Sequence, residues 1–458
     1  MEKDSQRGMA GWIGPRLLRE GALTVILTIG AGIVFKLVAF LRESYVASQF
    51  GLSPQTDAYF GFQQLPLMLS TFMLGSFCLA FAPAYAEAQR KRESGEWISG
   101  IMTYLIGAGL LLTFLAIAFA PLLVNLFGRA GRERADRVLM ILSLSFLPIL
   151  FQGVWAGTCI GRGQNVAAVV FGGLPYLIMA ILIAAFSQWR GPEPISLPIS
   201  MTAGFTFVGL TCLLLLARRE KFSIRWSRLR KPFEIPGLRT FAVQLRGSSL
   251  ENLGYAANQL LAIWFFSQVG PGFVSANNYA MRVGMLSFSL LSLPLAQLAQ
   301  ARLCAVVENE KRRVFVQYLG LVLLCAALAA CLIGLFRSEI VGAIYLRGKF
   351  SAENLRTVVA LLPAWLSYVV VMSLNGVLAR YEFSLLQGSS YARRMWCAYV
   401  ATNILRFVLR GQSDPSWILW AAVLSEGTAF SVGLFRRLSA ARKDTPFFVS
   451  ASSQEAVS

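Results

Sequence analysis

Residues 314–336 read VFVQYLGLVLLCAALAACLIGLF, an uncharged apolar run between Lys311-Arg312-Arg313 and Arg337. A helix needs about 20 mainly apolar residues to cross a bilayer, and in hydrocarbon its backbone groups must be satisfied within the segment. The run therefore predicts a membrane-spanning helix. Eleven other stretches share its character, so the sequence predicts twelve spans, at 22–41, 58–84, 97–126, 137–161, 166–187, 197–217, 244–268, 274–303, 314–336, 355–379, 394–409 and 415–435.

The composition supports an all-α polytopic membrane protein. Of 458 residues, 56% are apolar and only 14% are charged, whereas a soluble domain carries about a quarter charged residues. Twelve spans use about 240 residues, which leaves short loops and no large soluble domain. The first apolar run is a full span without a small-residue cleavage site, so no signal peptide is expected. The chain contains no histidine, which excludes histidine-based catalysis and His-ligated zinc.

The net charge of +19 is explained by membrane topology. Lys and Arg collect on cytoplasmic loops. With the N-terminus inside, 27 of the 42 basic residues lie on inside segments and 11 on outside loops. The other four fall within predicted spans: Lys36, Arg246, Arg282 and Arg406. The sequence therefore predicts that both termini are cytoplasmic, and nucleic acid is not an expected partner. The seven cysteines lie in or beside apolar spans and are interpreted as small buried hydrophobic residues.

The two halves of the chain repeat each other weakly. A shift of 219 residues places Arg137 on Arg356 and Gly157 on Gly376. Six spans per half is an even number, so the halves enter the membrane in the same sense, as parallel repeats. The predicted organisation is an N-terminal six-helix lobe, a basic cytoplasmic linker on anionic lipid, a C-terminal six-helix lobe and a polar tail, at 1–217, 218–243, 244–436 and 437–458.

Several predicted spans carry polar or charged side chains. A charge at mid-helix costs about 2.5–3.5 kcal/mol on insertion scales, so such residues pair with one another or line a cavity. Lys36, Arg42 and Arg282 lie in the first two spans of each half, where the halves would meet. A cationic seam of this kind suits an anionic substrate. Other candidate cavity residues are Asp57, Gln63, Ser70, Glu251, Tyr255, Asn258 and Asn278. Glu251, Tyr255 and Asn258 follow one another at steps of four and three residues, which predicts a polar stripe on one face of the seventh span. For the uncharged ones, hydrogen bonding between packed helices is the alternative explanation.

The sequence offers no nucleotide-handling motif. The single Gly-Lys pair, Gly348-Lys349, is followed by Phe350 and lacks the P-loop frame. No helix carries a paired-carboxylate arrangement for hydrolysis, and a membrane glycosyltransferase would need a larger outside loop. The residues therefore predict a transporter rather than an enzyme, without a cofactor, driven by a coupling ion or the membrane potential or running downhill.

Three stretches of the chain resemble one family. They are FLRESYVASQFGLSPQTDAYFGFQQLP at 40–66 (followed by AFAPAYAEAQ at 80–89), FVSANNYAMR at 273–282 and YLRGKFSAENL at 345–355. They are similar to the MurJ/MviN family of the multidrug/oligosaccharidyl-lipid/polysaccharide exporter superfamily. The resemblance implies two six-helix lobes around a central cationic cavity in the bacterial inner membrane.

The resemblance also implies roles for individual residues. Family members hold a lipid diphosphate with cavity arginines, and Arg42 and Arg282 match two of them. Lys36 stands where the family usually has a third arginine, and Asp57 matches its acid in the second span. The implied activity is the movement of a polyprenyl-diphosphate-linked glycan from the cytoplasmic to the outer leaflet by alternating access.

The chain also departs from the family pattern. Ser70-Thr71 and Gly75-Ser76 stand where the family has an arginine and Glu-Gly, and Met281 replaces an acid. Twelve spans is the usual count of related polysaccharide flippases, whereas lipid II flippases have two more. We therefore expect an exopolysaccharide or cell-envelope repeat unit as substrate. The alternatives are lipid II itself, a cation-coupled small-molecule exporter, or an inactive scaffold. Polysaccharide or peptidoglycan polymerases are the expected protein partners, beside membrane lipids.

Overall fold

A computed structural model describes residues 15–127, 132–224, 238–306, 308–385 and 388–443. These residues form helices and short connections, and no strand occurs among them. The helices of the N-terminal half are α1 (Pro15–Phe50), α2 (Pro54–Phe62), α3 (Gln64–Phe72), α4 (Cys78–Arg90), α5 (Ser94–Ala118), α6 (Ala120–Phe127), α7 (Arg132–Ser143), α8 (Phe146–Gly161), α9 (Asn165–Arg190) and α10 (Ser196–Glu220).

The C-terminal half is built in the same way. Its helices are α11 (Leu238–Val269), α12 (Phe273–Ser287), α13 (Leu293–Ala305), α14 (Glu308–Leu335), α15 (Arg337–Tyr345), α16 (Ala352–Ser384), α17 (Gly388–Val408) and α18 (Trp417–Lys443). Each of the twelve predicted spans coincides with one of these helices or with a run of consecutive helices. The all-α polytopic fold predicted from the apolar pattern is confirmed.

The second span of each half is interrupted at the same place. A π-helical turn, Met73–Phe77, joins α3 to α4, and another, Phe288–Ser292, joins α12 to α13. A π turn inserts an extra residue and commonly marks a functional site. Because both halves carry this break in the equivalent span, the structure supports the repeat that the sequence showed only weakly.

The outward-facing surfaces of the helices are apolar. Within the described residues, seven helices are long and apolar enough to cross a membrane, and a bent pair at 45° makes an eighth. The hydrophobic window of α14 has a mean hydropathy of 2.5, yet only 11% of it is buried inside the protein. Exposed leucines such as Leu324, Leu328 and Leu332 follow its outer face. Such a large apolar surface matches a lipid environment.

Helix packing is most extensive within each half. In the N-terminal half α9 packs on α1 and α10, and α8 packs on α4 and α10. In the C-terminal half α16 packs on α12, α14 and α18, and α17 packs on α11 and α18. Contacts between the halves are fewer and join α12 to α2, α11 to α4 and α15 to α1. This is the arrangement of two helical lobes.

The predicted lobe boundaries stay predictions. Helix α10 ends at Glu220, where Lys221 adopts a left-handed conformation, and α11 begins at Leu238. Half of the predicted linker, 225–237, lies outside the described residues. Helix α18 continues to Lys443, seven residues beyond the predicted end of the second lobe, and the tail after it lies outside the described residues.

Candidate functional site

A buried carboxylate joins the two arginines that the sequence singled out. Glu43 in α1 pairs with its neighbour Arg42 and lies 3.5 Å from Nη2 of Arg282 in α12. Glu43 is 1% exposed and Arg42 is 5% exposed. Arg42 belongs to the N-terminal half and Arg282 to the C-terminal half, so the cluster spans both lobes. Sequence reasoning missed Glu43, although the adjacent acid in Leu41-Arg42-Glu43 was a visible signal that the cation needs a partner.

Some N–H groups of the two guanidinium groups have no hydrogen-bond acceptor. Arg42 donates from Nη1 to Sδ of Met179 at 3.0 Å and lies 5.6 Å from the ring centroid of Tyr176, both in α9. Among the described residues, the Nε atoms of Arg42 and Arg282 and Nη2 of Arg282 have no hydrogen-bond acceptor. Buried N–H groups without an acceptor are costly. This cluster is therefore suited to an anion that supplies several oxygens at once.

Lys36, the third predicted cation, lies beside this pair. Its side chain is exposed, and its ammonium repels Arg282 electrostatically. The residue precedes Arg42 by six positions in α1, a rise of about 9 Å along the helix. The structure therefore places Arg42 and Arg282 on one shared carboxylate, and Lys36 is an exposed residue of the helix that carries Arg42.

Asp57 holds the start of a helix from the opposite half. Its carboxylate accepts hydrogen bonds from the backbone N–H of Gly272 at 2.5 Å and of Ser275 at 2.7 Å, and from the Ser275 hydroxyl at 2.5 Å. These groups form the N-terminus of α12, where a negative charge is stabilised by the helix dipole. Both oxygens of Asp57 are thus engaged in a contact between the halves, and α12 is the helix that carries Arg282.

Further contacts between the halves lie at the same end of the molecule. The Ser44 hydroxyl donates to the Ile344 carbonyl at 2.5 Å, and the Lys349 amide donates to the Ser48 carbonyl at 2.8 Å. Gly348 has a positive φ of 58°, and a Cβ there would collide with the Ser48 carbonyl, so glycine is required. We call these contacts and the Asp57–Ser275 contact the latch. The distribution of Lys and Arg over the loops predicts that this end of the molecule faces the outside of the inner membrane.

Three uncharged candidates lie in the second span of each half, two in the N-terminal half and one in the C-terminal half. Gln63, Ser70 and Asn278 are all buried. The Nε2 of Gln63 and both amide atoms of Asn278 have no hydrogen-bond partner within the described part of the chain, whereas Ser70 bonds Tyr176. The unsatisfied amides are suited to hydroxyl or amide groups of a sugar.

The polar stripe of the seventh span lies elsewhere, inside the C-terminal half. Glu251 bonds the Tyr391 hydroxyl, the Tyr255 ring packs 6.5 Å from Tyr399, and Oδ1 of Asn258 accepts from Nη1 of Arg406 at 2.8 Å. The periodicity predicted one shared face correctly, but that face is turned toward α17 rather than toward the arginine cluster. Among the described residues, no group of three or more His, Cys, Asp or Glu side chains could hold a metal ion.

Comparisons with known proteins agree with this geometry. The sequence model of the family described as "Lipid II flippase MurJ" matches residues 46–391, which include Arg282 and begin just after Glu43. A protein of Aquifex aeolicus (strain VF5), described as a probable lipid II flippase MurJ, is 25% identical over 381 residues. The alignment covers 81% of this chain and 73% of the relative.

Solved structures show the same fold. A lipid II flippase MurJ in an inward closed conformation superposes with a TM-score of 0.78 at 16% identity, covering 90% of this chain and 87% of that one. An inward-facing multidrug resistance transporter of the MATE family superposes with a TM-score of 0.70 at 14% identity, covering 92% and 99%. The shared architecture is a twelve-helix transporter fold.

The family match extends over more than half of the chain, and the fold agrees with it. MurJ proteins are transporters rather than enzymes, and they are multi-pass proteins of the bacterial inner membrane. This chain belongs to the lipid II flippase MurJ family.

Proposed function

We propose that the protein moves a polyprenyl-diphosphate-linked glycan across the inner membrane and binds its diphosphate on Arg42 and Arg282. The observation that carries the proposal is the pairing of two guanidinium groups from opposite halves on Glu43, with the buried Nε of each guanidinium left without an acceptor among the described residues. Guanidinium groups bind phosphate oxygens in bidentate geometry. Lys36 adds a third positive charge at the exposed edge.

Glu43 has a role in the empty site. Two arginines within reach of each other repel, and a carboxylate between them keeps both in place. An arriving diphosphate carries more negative charge than Glu43 and offers more oxygens, so it draws the guanidinium groups towards itself. Because these groups belong to different lobes, binding favours one relative position of the lobes. A site shared by two lobes in this way supports alternating access by lobe rocking.

The latch closes the site at one end. Asp57, Ser44 and Ser48 hold the C-terminal half at the end that is predicted to face outside. The halves also meet at the opposite end, where the Phe241 ring packs 5.6 Å from Phe77 and 6.3 Å from Phe81. Release of these contacts would admit a lipid-linked substrate from the cytoplasmic side. Opening of the latch would then release the substrate to the outer leaflet.

Lipid II is the substrate that the comparisons favour, because both the matching family and the Aquifex relative are described by it. The departures from the family pattern favour a polysaccharide repeat unit, and one observation in the structure supports that candidate. Ser70, where the resemblance leads us to expect an arginine, is buried and bonded to Tyr176. The diphosphate would then be held by fewer cations, and sugar contacts at Gln63 and Asn278 would matter more. Polymerases that use the flipped product are the proposed partners.

Proteoliposomes that contain the purified protein and fluorescent lipid II, or a fluorescent polyprenyl-diphosphate disaccharide, test the function. We expect Arg42→Ala and Arg282→Ala each to weaken substrate binding about 10- to 100-fold, since a charge-assisted contact contributes about 1.5–3 kcal/mol. Arg→Lys should restore part of the activity, because lysine lacks the bidentate fork. Arg410→Ala, at an exposed position, is the matched control. Normal transport by both alanine variants would refute the proposed site.

The choice of substrate is tested in cells. If lipid II is the substrate, depletion of the protein causes lysis while lipid II accumulates in the inner leaflet. Intact cells that lose a secreted polysaccharide would instead support the repeat-unit candidate.

A further inference from the structure

A second buried polar centre lies inside the C-terminal half, away from the arginine cluster. Glu426 in α18 is 2% exposed, and its Oε1 accepts a hydrogen bond from the Tyr368 hydroxyl of α16 at 3.0 Å. Within the described ranges, no Lys or Arg forms an ion pair with it. An ionisable side chain inside the membrane without an ion-pair partner marks a functional site by default.

The positive charge nearest to this carboxylate is held by other groups. Arg406 of α17 is also 2% exposed. Its Nε donates to the Ile418 carbonyl at 2.9 Å, and its Nη1 donates to the carbonyl and Oδ1 of Asn258, at 3.0 and 2.8 Å, and to Oδ1 of Asn403 at 3.1 Å. These neutral oxygens come from α11, α17 and α18. They are the ligands that a metal cation would need, and the guanidinium already occupies them.

Several ionisable side chains lie close enough to Glu426 to interact with it electrostatically. They come from the three helices packed around α18, namely Tyr368 on α16, Tyr391, Tyr399 and Arg406 on α17, and Glu251 and Tyr255 on α11. Glu251 is a second carboxylate in the same interior, and two carboxylates in a poorly hydrated site resist being ionised together. A small cavity between α11, α12, α16, α17 and α18 is lined by Tyr368, the hydrogen-bond donor to Glu426, and by Arg406.

The centre is connected to the helix that carries Arg282. Trp365 lies one turn before Tyr368 in α16, and its Nε1 donates to Oδ1 of Asn277 in α12 at 2.9 Å. Asn277 precedes Arg282 by five residues in the same helix. A change in the bond between Glu426 and Tyr368 therefore acts on α16 and, through it, on the position of α12.

We infer that Glu426 is a proton-binding site that couples a proton gradient to the movement of the lobes. The inference rests on the proposed flippase function and names its driving ion. A proton from one side of the membrane binds the Glu426 carboxylate and is released from it to the other side, with no other bond made or broken. The neutral acid no longer attracts Arg406 and Tyr368 as the carboxylate does, so the two protonation states favour different packing of α16 against α12 and α18.

Infrared difference spectroscopy of the purified protein tests the site without substrate. We expect a pH-dependent carbonyl-stretch band of a protonated carboxylic acid, which is lost in Glu426→Gln and kept in Glu87→Gln, the matched change of an exposed carboxylate. Tyr368→Phe keeps the ring and removes the hydroxyl, and it should move this band even if Glu426→Gln folds poorly. Identical pH difference spectra for the unsubstituted protein, Glu426→Gln and Tyr368→Phe would overturn the inference.

Proteoliposomes test the coupling. We expect an imposed pH gradient to speed lipid movement several-fold, a sodium gradient to have no effect, and Glu426→Gln to lose the response to pH. Lipid movement that ignores the pH gradient would overturn this inference alone. A titrating Glu426 band, together with no movement of any lipid-linked glycan, would overturn the proposed function and leave the proton-binding site standing.

Discussion

The substitution Glu43→Gln isolates the electrostatic role of the arginine cluster, because it removes one charge and keeps the shape of the side chain. Glu43 has 1% of its side chain exposed, and its partners Arg42 and Arg282 have 3% and 26% exposed. At 3.5 Å and an effective dielectric constant of about 20, the attraction between Glu43 and Arg282 is about 5 kcal/mol before desolvation. Removal of one member of a buried ion pair costs about 3–5 kcal/mol, since the other charge remains uncompensated.

The structure predicts an order among the variants. Glu43→Gln leaves two cations without a counter-charge and should be the most destabilising single change. Arg282→Ala leaves Glu43 paired with Arg42, and Arg282 is partly exposed, so its loss should cost nearer to 1 kcal/mol. The double variant Glu43→Gln with Arg42→Met removes opposite charges together. It should be more stable than the sum of the two single changes predicts.

Buried cysteines provide the assay. Cys78, Cys159 and Cys212 are free and buried, whereas Cys331 and Cys397 are exposed, contrary to the expectation that all the cysteines are buried. In a chain that keeps only the three buried cysteines, a thiol-reactive dye reports unfolding as the detergent-solubilised protein is heated. Glu193→Gln, at an exposed position, is the control for loss of a carboxylate. The reasoning is refuted if Glu43→Gln melts at the same temperature as the unsubstituted protein, if Arg282→Ala is the more damaging change, or if the double variant is simply additive.

Two further predictions concern the latch and the orientation. In a chain without its seven native cysteines, Ser48→Cys with Lys349→Cys should form a disulfide that stops transport until it is reduced, because the Lys349 amide lies 2.8 Å from the Ser48 carbonyl. Undiminished transport by the cross-linked protein would show that the halves need not separate there. A single cysteine at Arg347 should be labelled from outside intact cells, and one at Ser223 only after permeabilisation. The reverse pattern would invert the topology deduced from the positive-inside count.

The spans could be predicted from the sequence because apolar length is a local property. Each stretch must satisfy its own backbone in hydrocarbon, so residues 314–336 form a helix whatever surrounds them. The same local reasoning placed Lys36, Arg42 and Arg282 in the first two spans of each half, where the two halves were expected to meet. It did not give the breaks at Met73–Phe77 and Phe288–Ser292, because a π turn depends on packing as well as on composition.

Partners across the molecule could not be predicted in this way. Periodicity assigns a residue to a helix face but does not say which helix that face meets. The stripe of Glu251, Tyr255 and Asn258 was correctly placed on one face, and only tertiary packing turned it toward α17. Similarly, the acid beside Arg42 was visible in the sequence, but nothing in the sequence paired Glu43 with Arg282 of the opposite half.

The sequence by itself determined that this chain is a bundle of membrane-spanning helices, that its cations gather where the halves meet, and which family it resembles. The tertiary structure alone decided that Glu43 binds arginines from both halves and that Asp57 caps a helix 218 positions from it in the chain. The physical reason is the range of the interactions. Hydrophobic length acts within one segment, whereas ion pairs and helix caps form between segments that only the folded lobes bring together.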